Sequence, residues 1–141
     1  MFILEEQSEI PVTAEVDVLI IGSGPAGVSA AVTAGREGMS TMLIEQAGDV
    51  GGIATVGLMS HWTGDTKGGI YEEILQRSSD EPNNKEKRII INPEKLKTVL
   101  LEMLDEAGVK ELLYTFASRP GMEGNTMKGV IIENKSGRQA I

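Results

Sequence analysis

The sequence is most constrained between Val16 and Gly27, where Val16-Asp17-Val18-Leu19-Ile20-Ile21 runs directly into Gly22-Ser23-Gly24-Pro25-Ala26-Gly27. A short apolar, β-branched run followed by G-x-G-x-x-G and an alanine-rich segment reads as strand, tight turn and helix. The run lacks polar alternation beyond Asp17, as suits a parallel strand covered on both faces. Each turn position has a physical task. Gly22 permits the sharp exit from the strand, Gly24 leaves the backbone bare for a pyrophosphate, and Gly27 lets the helix lie close to the sheet. Pro25 fits the first helical turn, where its missing N–H would have had no partner anyway. Free N–H groups and the helix dipole bind phosphate without help from a cation. The loop contains no Lys or Arg.

Ser40-Thr41-Met42-Leu43-Ile44-Glu45 reads as a second buried strand ending in a carboxylate, 18 residues past Gly27. A ribose-binding acid is expected about 20 residues after the last glycine. Such a carboxylate accepts hydrogen bonds from the adenosine ribose and repels a 2′-phosphate, which disfavours an NADP-type ligand. Strand, loop, helix, strand and acid in register imply a site for an adenine dinucleotide.

Composition narrows the remaining classes. At 141 residues and 40% apolar content the chain is one domain's worth, with enough apolar surface for a core. A formal net charge of −8 argues against a nucleic-acid surface. No segment approaches the roughly 20 apolar residues that span a bilayer. Met1-Phe2-Ile3-Leu4-Glu5-Glu6 lacks the basic and apolar regions of a signal peptide. The absence of cysteine removes disulfides, cysteine–zinc sites and thiol relays. It is compatible with a reducing cytoplasm, where the chain is expected to reside, and no metal site is read.

Along the chain, residues 1–15 form a lead-in, extended around Glu9-Ile10-Pro11-Val12, and 16–141 form one α/β unit. Val16 to Ile21 is the first strand and Thr41 to Glu45 the second. Between them Pro25 to Glu37 is the first helix, with Ala26, Ala30, Ala31 and Ala34 as a small-residue face and Gly38 as its stop. Gly69 to Arg77 is a short amphipathic helix, Ser78 to Lys87 an exposed loop, and Arg88 to Ile91 an extended segment. Asn92 and Pro93 open the clearest helix. Its apolar stripe is Leu96, Val99, Leu100, Met103, Leu104 and Ala107, and Gly108 ends it. Val109 to Phe116 is expected to be a third parallel strand and Ala117 to Thr126 a Gly/Pro-rich turn. Met127 to Glu133 is expected to pair with Arg138 to Ile141.

Two stretches leave alternatives open. Gly51 and Gly52, in Gly48-Asp49-Val50-Gly51-Gly52-Ile53-Ala54-Thr55-Val56-Gly57, are either a second close approach to the same ligand or a flexible loop. An NAD site needs no such feature, whereas FAD has a ribityl chain and ring still to be held. Ser60-His61-Trp62 holds the only His and the only Trp. His61 is a candidate general acid or base, or a partly buried side chain beside a packing anchor, Trp62.

From about Ile10 onward the sequence resembles the FAD-dependent oxidoreductase family. The resemblance rests on Ile10-Pro11-Val12, D-V-L-I-I-G-S-G-P-A-G, the L-I-E acid and G-G-I-A-T-V-G. It implies an FAD/NAD(P)-binding, Rossmann-like three-layer sheet with a small β-meander over about 109–141. It implies FAD as cofactor, and hydride or electron transfer between a small-molecule substrate and the flavin. The residues it assigns to the pyrophosphate are Gly22, Ser23, Gly24, Pro25, Ala26 and Gly27, with Glu45 on the ribose and Gly51, Gly52, Ala54 and Thr55 at the ribityl and flavin end. In members of the family a further strand returns beside the first and ends in a Thr-Gly-Asp-type turn. No such strand follows Ile141, so the domain is expected to be incomplete, the chain by itself inactive, and the exposed edge of Val16–Ile21 a homo-oligomer contact. An NAD-binding domain and a non-catalytic nucleotide-binding fragment are the alternatives.

Overall fold

The computed structural model describes residues 9–59, 61–63, 66–80 and 88–141. Met1 to Ser8 and most of the Ser78–Lys87 segment lie outside the described residues, so neither the start of the lead-in nor that loop's middle is assessed.

Three strands form the central parallel sheet, β1 (Val18–Ile21), β2 (Thr41–Ile44) and β5 (Lys110–Leu112), in the order β1-β2-β5. Ile20 lies opposite Leu43, and Leu43 opposite Glu111. Asp17 fixes the start of this register, its Oδ2 accepting from Ser40 N at 2.9 Å and Ser40 Oγ at 2.6 Å. Helix α1 (Pro25–Arg36) makes the β1–β2 crossover, and α2 (Gly69–Ser78) and α3 (Pro93–Glu106) lie between β2 and β5. A two-stranded antiparallel ribbon, β3 (His61–Thr63) with β4 (Arg88–Ile90), branches off that second connection.

The helices cover one face. Val28, Ala31 and Val32 of α1 pack with Leu43, Ile74, Leu75, Leu96, Val99, Leu100, Met103 and Leu104 into the main core. The buried side of α1 is therefore Val28-Ala31-Val32. Ala26 and Ala30, expected on the sheet-facing side, are exposed. Close packing is met by Gly35 instead, where a Cβ would sit 2.3 Å from the Ala107 carbonyl oxygen. The Asn92 cap forms as expected: its Oδ1 accepts from Glu94 N at 2.9 Å. A surface network ties the three helices together, Arg36 to Glu73 at 2.6 Å and Arg77 to Glu73 and Glu106 at 2.7 and 2.8 Å.

The opposite face carries an antiparallel meander, β6 (Phe116–Glu123), β7 (Thr126–Asn134) and β8 (Gly137–Ala140), in that order. Val130 and Ile132 of β7 bury against Ile44, with Leu19, Met42 and Ile141 around them. The lead-in joins this layer, since Val12 bridges Ala140 in parallel and Ala140 N donates to the Pro11 carbonyl at 2.9 Å.

Three segment expectations are corrected. The third parallel strand ends at Leu112, because Tyr114 takes a positive φ of 52° and turns the chain. The expected 117–126 turn is mostly strand. Pro120 and Gly121 lie within β6, at the meander's edge, where proline's missing N–H leaves no gap in the pairing. Register shifts between Ala117 and Arg119 and between Gly121 and Met122 absorb the irregularity. Ser78 and Ser79 are buried rather than exposed: Ser78 closes α2, its hydroxyl donating to the Ile74 carbonyl at 2.5 Å.

Candidate dinucleotide site

At the carboxyl end of β1 three glycines stand for three different reasons. Gly22 has φ +91°, a conformation that side chains disfavour. Gly27 has no room, because a Cβ would lie 1.9 Å from the Gly22 carbonyl oxygen. Gly24 has φ −60° and ψ 177°, which any residue adopts, and a Cβ there would meet nothing within 4 Å. The fold requires glycine at Gly22 and Gly27 but not at Gly24.

The space in front of Gly24 faces the start of α1. Val28 N makes the first intrahelical bond, to the Gly24 carbonyl at 3.0 Å, so the N–H groups of Gly24, Ala26 and Gly27 precede the ladder. No side chain caps this end and no acid lies in its first turn. The helix end therefore offers donors and partial positive charge to an anion, with no carboxylate of its own first turn in competition.

Glu45 follows β2 directly and is 8% exposed. Its Oε2 accepts from Ser23 N and Ser23 Oγ, both at 2.7 Å, and its Oε1 from Ala47 N at 2.7 Å. Burial pushes the carboxyl upward, but the hydrogen bonds from Ala47 and Ser23 outweigh it and hold Glu45 below the usual carboxylate range. Ser23 is fully buried and links three pieces of the site. Its two donors go to Glu45, and its carbonyl accepts from Gly51 N at 2.7 Å.

The second glycine pair is thereby brought against the first loop. A Cβ on Gly52 would lie 3.0 Å from Gly24 Cα, so the two backbones touch. Gly51 has φ +101°, and a Cβ there would strike Thr55 and Leu100. Among the residues assigned to the flavin end, Ala54 and Thr55 are buried, and the Thr55 hydroxyl donates to the Val50 carbonyl. Their side chains face the protein, whereas Ile53 just before them is 62% exposed.

Beside Glu45 lies an open groove of about 230 Å³, lined by Ile21, Gly22, Glu45, Gln46, Thr115 and Phe116. Its far wall escaped the sequence reading. Thr115 N donates to the Glu45 carbonyl at 2.8 Å and Tyr114 N to the Ala47 carbonyl at 3.0 Å, which fixes Tyr114-Thr115-Phe116 at the carboxyl edge of the sheet. The available signal was an aromatic pair just beyond a parallel strand, at the edge where open α/β sheets bind ligands. His61 is not on this sheet. It sits exposed on β3 opposite Ile90, while the adjacent Trp62 stacks on Tyr71 at a ring separation of 6.1 Å and packs against the main core.

The sequence profile of the FAD dependent oxidoreductase family matches residues 17–141. The chain belongs to this family. FAD is the family's cofactor, and the open Gly24, the unpaired helix donors and the acid beside them suit its pyrophosphate and adenosine. The chain is 34% identical over 97 residues to 3-oxosteroid 1-dehydrogenase of Mycolicibacterium smegmatis, covering 61% of this chain and 16% of that protein. It superposes on THI4 of Thermovibrio ammonificans with a TM-score of 0.68 at 16% identity, covering 89% of this chain and 54% of that one. The FAD complex of glycerol-3-phosphate dehydrogenase from Bacillus halodurans gives 0.64 at 16% identity, covering 92% and 33%. These structures share the three-layer fold. The chain spans about half or less of the length of each relative.

Proposed function

We propose that this chain is the FAD-holding part of an oxidoreductase that passes a hydride or electron pair between a small-molecule substrate and the flavin. The observation that carries the reading is Gly24, a glycine that nothing in the fold requires, in front of unpaired helix N–H groups. FAD supplies the redox chemistry when bound, and the protein supplies binding and orientation. In this reading the N–H groups of Gly24, Ala26 and Gly27 hold the pyrophosphate, with Gly22 shaping the turn and Pro25 starting the helix. Glu45 takes the ribose, and the groove bounded by Thr115 and Phe116 takes the adenine. Gly51 and Gly52 guide the ribityl chain through backbone rather than side chains, and Ile53 offers an apolar surface beyond them. His61 is left without a catalytic role.

Weak FAD binding, without turnover, by residues 1–141 alone is part of the proposal, the groove beside Glu45 being open to solvent. A homo-oligomer is part of the proposal. In a parallel pair the backbone groups of alternate residues face the partner strand; Val18 and Gly22 donate towards β2, so the N–H and C=O groups of Leu19 and Ile21 face outward from the sheet's edge. A strand of a second copy fits this edge. A cytoplasmic location is part of the proposal, and the cysteine-free sequence is compatible with it. Titrating the purified chain with FAD and with NAD, by protein NMR shifts, tests the reading. Preferential saturation by FAD is expected, and equal or tighter binding of NAD would overturn it.

A further inference from the structure

We infer that Ser23 is a positioning residue for the adenosine end, holding the Glu45 carboxylate in the orientation that recognises the ribose. The inference rests on the ribose role proposed for Glu45. A carboxylate offers about four acceptor sites on its two oxygens. Oε2 holds two donors from Ser23 and Oε1 holds Ala47 N, with the Gln46 N–H also bonded to the carboxylate. The Ser23 hydroxyl thus fastens Oε2 to the glycine loop and turns Oε1 towards the loop after β2. A carboxylate tethered at both oxygens has lost its rotational freedom before a ligand arrives, so little ordering remains to be done on binding.

Ser23 is suited to this task by more than proximity. It is fully buried, so its hydroxyl has no water to turn to. Its N–H and carbonyl are both engaged, with Glu45 and Gly51, so its backbone is fixed. Alanine at this position keeps the backbone bonds and deletes only the hydroxyl. Glu45 would then lose one of the two bonds on Oε2, and its side chain would be freer to rotate away from the ribose.

The test is the discrimination between ADP and 2′,3′-dideoxy-ADP, read as the ratio of the two Kd values from NMR shift titrations of the 141-residue chain. These probes differ only in the hydroxyls that Glu45 would read. The native chain is expected to prefer ADP by about tenfold or more, the effect of a hydrogen bond to a charged group. Ser23→Ala should reduce the preference to about threefold or less. Ser23→Gly, which also lacks the hydroxyl, should do the same. In a Glu45→Ala background neither Ser23 change should alter the ratio further, because the carboxylate being positioned is gone. A purely structural serine would weaken both nucleotides equally and leave the ratio unchanged, which overturns the inference while the ribose role stands. A native chain that binds both probes alike, or neither, overturns the ribose reading and this inference with it.

Discussion

The loop between β1 and α1 and the loop after β2 are both rich in glycine, yet the residues around them give those glycines different jobs. In the later loop a Cβ on Gly48 would enter the Tyr114 ring, one on Gly51 would strike Thr55 and Leu100, and one on Gly57 would lie 2.8 Å from Ile53. Gly51 and Gly57 are required by the packing around the loop, whereas at Gly48 the obstacle is the exposed Tyr114 side chain. In the earlier loop Gly22 and Gly27 are required by the turn, but Gly24 stands in open space with an ordinary backbone conformation. In the proposed reading, that unneeded glycine leaves the space a ligand's pyrophosphate would fill. A count of glycines alone would have weighted the two loops alike.

The difference can be broken experimentally, beginning with the largest effect. Gly27→Ala places a methyl group 1.9 Å from a backbone oxygen, which neither the strand nor the helix can yield easily. Its expected effect is a loss of about 3 kcal/mol or more, at the upper end for overpacking, read from chemical denaturation. A loss under about 1 kcal/mol would mean that helix and strand separate more readily than their packing implies. Gly51→Ala combines a left-handed backbone with contacts on Thr55 and Leu100, and about 2 kcal/mol is expected in the same assay.

Glu45→Ala acts on binding. It should weaken ADP or FAD by about 1.5–3 kcal/mol, the range for hydrogen bonds to a charged group, and unchanged affinity would remove the ribose assignment.

The smallest effect concerns pH. Because Glu45 is held below its ordinary range, its contribution to stability is fully present above that range and is lost only as pH falls through the lowered folded value. From pH 8 down to about 5, Glu45 should remain charged, and the native chain and Glu45→Gln should show parallel stability profiles. A gap between them that closes within that window would place the carboxyl's titration higher than its hydrogen bonds allow.

How much of this was legible in the sequence depended on how local the cause was. The turn at Gly22–Gly27, the Asn92 cap and the α3 stripe follow from residues a few positions apart, and the structure has them where the pattern places them. Pro120 and Gly121 read as a turn because both are turn formers, yet an edge strand tolerates them, and edge position is a property of the whole sheet. The alanines of α1 misled for a related reason: small residues fit a tight interface, but Val28 and Val32 set which side faces the core. The Ser23–Glu45 bonds join residues 22 apart through side-chain rotamers, which no spacing rule describes. Tyr114 was hidden because its left-handed turn is imposed by bonds to the Glu45 loop rather than by its own preference.

The central claim, that Gly24 is glycine for the ligand's sake, is tested most directly by Gly24→Val measured twice, once without ligand and once against ADP. Valine adopts the Gly24 backbone angles, and its Cβ meets no atom within 4 Å beyond the adjoining residues. Stability in the absence of nucleotide should therefore stay within about 1 kcal/mol of the native chain. ADP affinity should fall by at least tenfold, about 1.4 kcal/mol, because the isopropyl group fills the space of the pyrophosphate. Native affinity in a stable Gly24→Val chain would contradict the account, and so would an early melt in the absence of nucleotide.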